Sequence, residues 1–206
     1  MSQLTSKARV KSYLDFIGTG EDTLIDILIE LVSARVADYC DRTFEQESDR
    51  VEYPSGGTGL LKMKLFPITS ITSIYEDAQR AFGSGTLVAS TEYYSSGDAA
   101  AKGLIIRKSS WRRELAGTYD NLWLAGLDIV KVTYSGGYAV ASGVTGVPDD
   151  LQRVIAQQVA YLFNRRTALG INSVSGGEGS QSFTGDYEFL PEVKKGLQRY
   201  RRITAS

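Results

Sequence analysis

Histidine is absent from this 206-residue sequence, and cysteine occurs once, as Cys40. Without histidine the chain lacks the commonest acid–base catalyst and every Ser–His or Cys–His catalytic pair. A single cysteine excludes an intrachain disulfide and, without histidine, leaves too few ligands for a typical zinc site. We therefore expect no enzymatic activity, no bound metal and no cofactor, and we interpret Cys40 as a structural thiol of a protein made in a reducing compartment.

Long apolar runs and an excess of charge of either sign are also missing. The sequence contains no apolar run of about 18 residues or more, so we expect no membrane span. Its first residues, MSQLTSKARVKSYLDF, lack the apolar centre of a signal peptide. The formal net charge is −1, so the net charge does not attract the chain to polyanions.

Motifs for small-molecule chemistry are not found. The glycine clusters, such as PSGGTG and FGSGT, lack the endings of phosphate-binding loops and are typical of hairpin turns. The pairs Glu21/Asp22 and Asp149/Asp150 lie where helix N-termini favour acidic residues. Glu76/Asp77 follows a strand-like segment and is the one pair with the setting of a metal or acid–base site, although no histidine supports it.

Residues 21–42 form the first helix that the hydrophobic period predicts. Its apolar positions cover more than one narrow face, which indicates a core helix that also contacts a neighbour. Between residues 21 and 41 six acidic residues stand against Arg35 alone, a local charge of −5.

From about residue 48 to residue 138 the apolar period changes to two, which is typical of half-buried strands. We predict strands in LLKMKL, ITSITSIYED, GLIIRK and DIVKVTY. No helical crossover pattern separates them, so the sheet should be mainly antiparallel. Segment 111–125 is ambiguous, and we interpret it as a loop that packs Trp111 and Trp123 on the sheet.

A second helix is predicted to begin at Pro148 and to run to about Arg166. Segment 170–186 is rich in glycine and serine and is predicted to be a mobile loop. A short basic helix, LPEVKKGLQRYRR, then closes the chain. The fold class is therefore α+β: a small helical core of two main antiparallel helices and a C-terminal helix (1–47 and 139–206), with an inserted antiparallel β domain (48–138).

The closing helix has a local charge of +4 between residues 190 and 206, from five basic residues and Glu192. A solvated helix explains this charge, and contact with nucleic acid is an alternative, because Tyr200 is interleaved with the basic residues. Docking on a protein explains more, since an apolar stripe lies on the same helix. The docking residues are Val193, Lys194, Lys195, Leu197, Arg199, Tyr200, Arg201 and Arg202.

Six segments, in this order and spacing, resemble the head–tail connector (adaptor, or head completion) proteins of long-tailed bacteriophages, prophages and gene transfer agents. They are ADYCDRTF, LFPITSITSIYED, VTYSGGY, VPDDLQRVIAQQVAYLFNRR, GINSVSGGEGSQSF and LPEVKKGLQRYRR. The resemblance covers residues 21–202. The long β insertion departs from the compact, all-helical members of that family.

The resemblance implies a structural protein of the virion neck, made in the host bacterial cytoplasm. Such a protein forms a ring, generally of twelve subunits, between the portal and the stopper or tail. DNA passes through its channel without sequence-specific binding. The resemblance makes the portal the first docking target and an adjacent subunit the second, and the alternative function is a small nucleic-acid-binding module. The candidate subunit-interface residues are Leu28, Val32, Val36, Gln152, Gln157 and Gln158.

Overall fold

The computed structural model describes residues 3–108, 121–139, 146–166, 173–176, 179–182 and 188–203, the two segments between 173 and 182 by their backbone alone. The described residues form two compact units. The helical unit lies within Met1–Cys40 and Ala139–Arg201, and the β unit within Asp41–Tyr138 and Arg202–Ser206. Among the described residues, no helix has the length and apolar character needed to cross a membrane.

Five α-helices are described, and all but the third belong to the helical unit. They are α1 (Lys7–Leu14), α2 (Asp22–Cys40), α3 (Asp98–Ala101), α4 (Asp149–Arg165) and α5 (Pro191–Leu197). A 3₁₀ turn, Gln198–Tyr200, extends α5. The hydroxyl of Ser6 caps α1 by accepting from the backbone N–H of Arg9 at 3.2 Å, which pairs one of the open donors at the helix start.

Helices α1 and α4 both run antiparallel to α2. At the start of α2, Glu21 lies 3.5 Å from Arg166, which follows the end of α4. Near the other end of α2, the Ser33 hydroxyl accepts the backbone N–H of Leu4, just before α1. The two main helices are thus antiparallel, as the sequence predicts.

Helix α4 lies at the centre of the helical unit and contacts α1, α2 and α5. Its apolar side chains are buried on several sides, because a helix with three neighbours has to bury more than one stripe. Asp149 and Asp150 occupy its first turn, where the helix dipole favours negative charge. The buried apolar residues of α4 are Leu151, Val154, Ile155, Ala156, Val159, Ala160, Leu162 and Phe163.

The β unit contains two three-stranded antiparallel sheets. The first has the strand order β1-β6-β3 and the second the order β2-β5-β4. The strands are β1 (Glu47–Glu52), β2 (Leu60–Lys62), β3 (Ile68–Glu76), β4 (Tyr93–Tyr94), β5 (Leu104–Arg107) and β6 (Val130–Gly136). Val130, Val132 and Tyr134 of β6 are buried and alternate with half-buried polar residues, so one face of the first sheet is turned into the core.

One core holds the β unit together. Leu61, Met63 and Leu65 are all buried in it, as their alternation with lysine predicts, and Trp123 is buried with them. Tyr134 supplies the polar link: its hydroxyl donates to Glu52 at 2.8 Å and accepts the backbone N–H of Leu65 at 3.0 Å. Burial raises the pKa of the Tyr134 phenol far above its ordinary value, and the Glu52 carboxylate raises it further, so the phenol keeps its proton.

The predicted fold class is confirmed: the protein is α+β, with helices before and after an antiparallel β insertion. The sequence did not predict α1, α3, β1 or β4. Segment 170–186, predicted to be a mobile loop, contains β7 (Ser173–Gly176) and β8 (Gly179–Ser182), which pair as an antiparallel hairpin. Trp111, predicted to pack on the sheet, lies outside the described residues.

Candidate assembly surfaces

The long helix α2 has an apolar surface that its own unit leaves uncovered. Ile27 and Leu31 are 57% and 48% exposed and lie one turn apart on the same side of the helix. Ala34 continues this row, and the acidic residues Glu30 and Asp38 flank it. We call these five residues the α2 outer face.

The predicted apolar interface residues of α2 lie elsewhere. Val32 and Val36 are fully buried in the helical unit, and Leu28 is half-buried beside the outer face. In this structure α1 and α4 pack on α2, so the contact of Val32 and Val36 with a neighbouring subunit stays a prediction. The signal for Ile27 and Leu31 was present in the sequence as the unusual width of the apolar stripe, but the sequence does not say which part of a wide stripe faces inward.

The three glutamines of α4 bind within the chain. Gln152 is buried and donates to the carbonyl of Val147 at 2.9 Å. Gln158 is also buried, and its side-chain oxygen accepts the backbone N–H of Leu190 at 3.0 Å. Gln157 donates to the carboxylate of Glu192 at 2.7 Å. Gln152 thus fixes the start of α4, and Gln157 and Gln158 fix the start of α5. Their contact with a neighbouring subunit stays a prediction.

The apolar side of α5 is covered by α4 of the same chain. Val193 and Leu197 are fully buried, and Tyr200 donates from its hydroxyl to Asp150 at 2.7 Å. In this structure these three side chains are occupied by contacts within the chain, and their docking on a partner stays a prediction. Gly196 permits the close approach, because a Cβ at this position would lie 2.7 Å from a methyl group of Val154.

Most of the basic residues around α5 are engaged with neighbours in the chain. Lys194 pairs with Glu188 at 3.3 Å, Arg199 with Asp150 at 2.9 Å, and Arg202 with Asp41 at 3.2 Å within the β unit. Arg201 lies over the ring of Tyr39. Lys195 is exposed and makes no ion pair with the described residues. Internal pairing lowers the charge that this region offers to nucleic acid, so the structure does not favour that alternative function.

The carboxylate pair that resembled a metal or acid–base site has structural partners. Glu76 lies 3.0 Å from the buried guanidinium of Arg107, which also pairs with Glu92 at 2.8 Å. Asp77 accepts the backbone N–H of Gln79 at 2.8 Å and of Phe82 at 2.7 Å. These two hydrogen bonds lower the pKa of the Asp77 carboxyl, and the one from Gln79 has the larger effect. The described residues contain no cluster of three metal-ligating side chains.

Cys40 is a buried thiol at the end of α2, as the sequence predicts. Its sulfur lies 4.0 Å from the carbonyl oxygen of Leu197, which is the distance of a weak S–H hydrogen bond. The thiol thus contributes to the contact between α2 and α5. Burial of this kind is typical of a packing cysteine rather than a reactive one.

These features define the class of the protein: a two-unit α+β chain whose long helix presents an uncovered apolar face with acidic flanks. Ile27 and Leu31 form a small contiguous patch, and contiguous exposed apolar patches occur at sites of protein–protein contact.

The comparisons with known proteins add the following. The chain is similar to a chain in the neck of an empty GTA particle computed with C6 symmetry, at 14% identity and a TM-score of 0.48, covering 97% of this chain and 90% of that one. A chain in the neck of a native GTA particle computed with C12 symmetry has 15% identity and a TM-score of 0.48, covering 100% and 95%. A chain in the virion of a native gene transfer agent (GTA) particle has 13% identity and a TM-score of 0.47, covering 96% and 90%.

Gene transfer agents are among the particles that the sequence resemblance names. No protein-family model matches the sequence, and no curated protein is similar to it.

Proposed function

We propose that this chain is a structural, non-enzymatic protein of a virion neck. It forms a ring between the portal at the capsid vertex and the stopper or tail, and the ring continues the DNA channel. The ring size expected from the sequence resemblance is twelve. DNA passes through without sequence-specific binding, and the protein is made in the host cytoplasm before it joins the particle.

The observation that carries this proposal is the α2 outer face. Two large apolar side chains, Ile27 and Leu31, remain exposed on a helix whose other side is well packed. An exposed apolar surface lowers the solubility of a free chain, so its presence favours a protein that functions within an assembly. The ordered sequence resemblance over residues 21–202 specifies which assembly, since a helical scaffold alone serves many functions.

The proposal also gives roles to the parts of the chain. The helical unit builds the wall of the ring, and the β unit and the basic residues near the C-terminus bind portal or stopper. Lys194, Lys195, Arg199, Arg201 and Arg202 remain our candidates for portal docking, through their charged ends rather than through the buried side of α5. Basic side chains at a rim select an acidic target and speed its encounter more than they add affinity.

Deletion of the gene in the bacterium that makes the particle tests this function. We expect DNA-filled heads without attached tails, because a neck protein is needed after packaging and before tail joining. Electron microscopy of purified particles is the measurement, and restoration of tails by the wild-type gene on a plasmid is the control. Tailed, infectious or transducing particles from the deletion strain would refute the proposal.

A further inference from the structure

The second sheet of the β unit ends at an open edge, because β2 is its outermost strand. The backbone N–H of Met63, directly after β2, donates to the carbonyl of Gly103 at 2.9 Å, so Met63 faces the neighbouring strand β5. In an antiparallel pair the positions that face the partner strand alternate with positions that face away from it. The backbone groups of Leu60 and Lys62 therefore point away from β5, to the side where no further strand lies among the described residues.

Side chains of the same chain occupy part of this edge. The hydroxyl of Thr58 donates to the carbonyl of Leu60 at 2.7 Å, and the guanidinium of Arg202 donates to the carbonyl of Lys62 at 3.0 Å. The backbone N–H of Lys62 has no acceptor among the described residues. The Nε–H of Arg202 is buried and also lacks an acceptor in the described part of the chain. Two donors thus remain unpaired at this edge, where a bound group can satisfy them.

A groove of about 320 Å³ lies at the same edge. Leu60 and Ile203 in its lining are 37% and 42% exposed, so the groove offers apolar surface. Lys62 and Arg202 also line it, and no described acidic residue does. Residues 54–56 and 58, before β2, complete the lining. We call this site the β2 groove.

We propose that the β2 groove binds an extended segment of a partner protein, which adds to β2 as a further strand. In this mode of binding the outward backbone N–H and C=O groups supply affinity, and alternate side chains of the segment supply specificity. This partner surface lies on the β unit and is independent of the ring proposed above.

The side chains beside the edge define what the segment carries. Leu60 and Lys62 lie on the same face of β2, whereas Leu61 between them is buried on the other face. Side chains directly opposite each other on neighbouring strands interact, and opposite charges are favourable there. The segment therefore carries an acidic residue opposite Lys62 and an apolar residue two positions away, opposite Leu60. A carboxylate in the groove also supplies an acceptor for the Nε–H of Arg202.

Acidic groups of the β unit leave the charge of Lys62 available. Lys62 makes no ion pair with the described residues. Asp41 pairs with Arg202 at 3.2 Å, and Glu52 pairs with Arg50 at 2.7 Å. Pairing of the β2 edges of two copies would bring the Lys62 and Arg202 side chains of both copies together, and like charges opposite each other are destabilising. The charges therefore favour an acidic segment of a different protein.

Selection from a library of random heptapeptides on the purified full-length chain tests this site. Lys62→Glu is the test variant. Lys64→Glu is its matched control, since Lys64 is an exposed lysine close to β2 in the sequence that does not line the groove. Circular dichroism checks that both variants fold. A synthetic peptide of the most enriched sequence is then titrated into each protein, and NMR measures amide hydrogen exchange at residues 60 and 62.

We expect the enriched peptides to carry an acidic and an apolar residue two positions apart, without proline between them, because proline cannot donate to a strand. The synthetic peptide should bind the wild type and Lys64→Glu equally, and Lys62→Glu about tenfold more weakly. Binding should slow amide exchange at Lys62, because its outward N–H gains an acceptor. The same peptide with lysine in place of its acidic residue should prefer Lys62→Glu, since opposite charges then meet again.

A library that yields no peptide enriched on the wild type over Lys62→Glu would overturn the proposal, as would a bound peptide that leaves amide exchange at Lys62 unchanged. Two further results would replace the partner segment by another occupant. Tighter peptide binding by a chain that ends at Ile203 would identify residues 204–206, and protection of Lys62 that rises with protein concentration alone would identify a second copy. Peptide binding uses the purified chain and tail joining uses the deletion strain, so failure of one leaves the other standing.

Discussion

Two apolar residues of α2 show how position on a helix decides the role of a side chain. Val36 and Ile27 are both aliphatic and both belong to the apolar stripe in the sequence. Val36 is fully buried against the rest of the helical unit, whereas more than half of Ile27 is exposed. Only Val36 stabilises the fold by removing its apolar surface from water. Substitutions at Val36 and Ile27 should therefore change the stability of the fold by different amounts.

Val36→Asp should destabilise the fold by at least about 3 kcal/mol, because it buries an unpaired carboxylate in an apolar core. Ile27→Asp is the matched control on the same helix. It should change the free energy of unfolding by less than about 1 kcal/mol, since the new charge stays in water. Urea unfolding followed by circular dichroism measures both, and equal losses would contradict the orientation of α2.

Helix α5 shows how a poor helix former can be required by packing. Gly196 lies in the last turn of this helix, just before the 3₁₀ turn that extends it, and glycine inside a helix costs roughly 1 kcal/mol relative to alanine. The same glycine lets α5 approach Val154 of α4 so closely that a methyl group would not fit without a shift. The cost in helix propensity is therefore offset by contact between α4 and α5.

Gly196→Ala should destabilise the protein by about 1 to 3 kcal/mol, although the same change stabilises an exposed helix. The reason is the clash with the branched side chain of Val154. The double variant Gly196→Ala, Val154→Ala should lose at least about 0.5 kcal/mol less than the two single losses added together. Thermal and urea unfolding of the four proteins measure this coupling; strictly additive losses would show that the clash is not the cause.

The turn after β3 carries a pH-dependent contribution to stability. Asp77 accepts the N–H groups of Gln79 and Phe82, and its pKa is lower in the fold than the ordinary value of 3.8. A carboxyl whose folded pKa is lowered contributes stability above its unfolded pKa and loses it as the pH falls through the folded pKa. Asp77→Asn should therefore be less stable at neutral pH and should show a shallower loss of stability as the pH falls below about 3.8.

Urea unfolding at a series of pH values gives the slope of the free energy of unfolding against pH for the wild type and the variant. Amide exchange at Phe82 supplies a local measurement, since its N–H loses a charged acceptor in the variant. An unchanged slope in Asp77→Asn would mean that the turn does not hold the carboxylate in its charged form.

At the scale of the chain, the C-terminal segment closes the helical unit. Val193, Leu197 and Tyr200 bury their apolar surface against α4, so α5 is part of the core. The sequence predicts a helix that docks on a partner instead, because a short helix is marginal on its own in water. Contact with α4 is what makes the helix stable.

A chain that ends at Phe189 should accordingly lose about 3 to 6 kcal/mol from the burial of Val193 and Leu197, before the ordering cost of the segment is subtracted. Hydrogen exchange should show reduced protection in α4 and wild-type protection in β6. A chain that ends at Ile203 is the matched control and should match the wild type. Undiminished protection of α4 in the shorter chain would show that α5 is not needed for the helical core.

The elements whose apolar residues recur with a clear period could be predicted from the sequence. Leu61, Met63 and Leu65 alternate with lysine, and all three are buried. Pro148 and the acidic pair after it mark the start of α4 within one residue. The short helix α1 was not predicted, because its apolar content is low and contact with α2 and α4 stabilises it. Of the candidate assembly surface the sequence predicted helix α2, and only the structure showed that Ile27 and Leu31 are exposed on it.

The sequence by itself determined the types and order of the main elements, the antiparallel β insertion and the absence of histidine-based catalysis. It could do so because the hydrophobic period, the turn residues and the composition depend on a few neighbouring positions. Tertiary contacts decided which surfaces remain for a partner. Burial of Val36, Gln152 and Leu197 depends on neighbours that are distant in the sequence, as does the exposure of Ile27 and Leu31. A side chain is buried only when another element covers it, and no periodicity within one helix records where that element will pack.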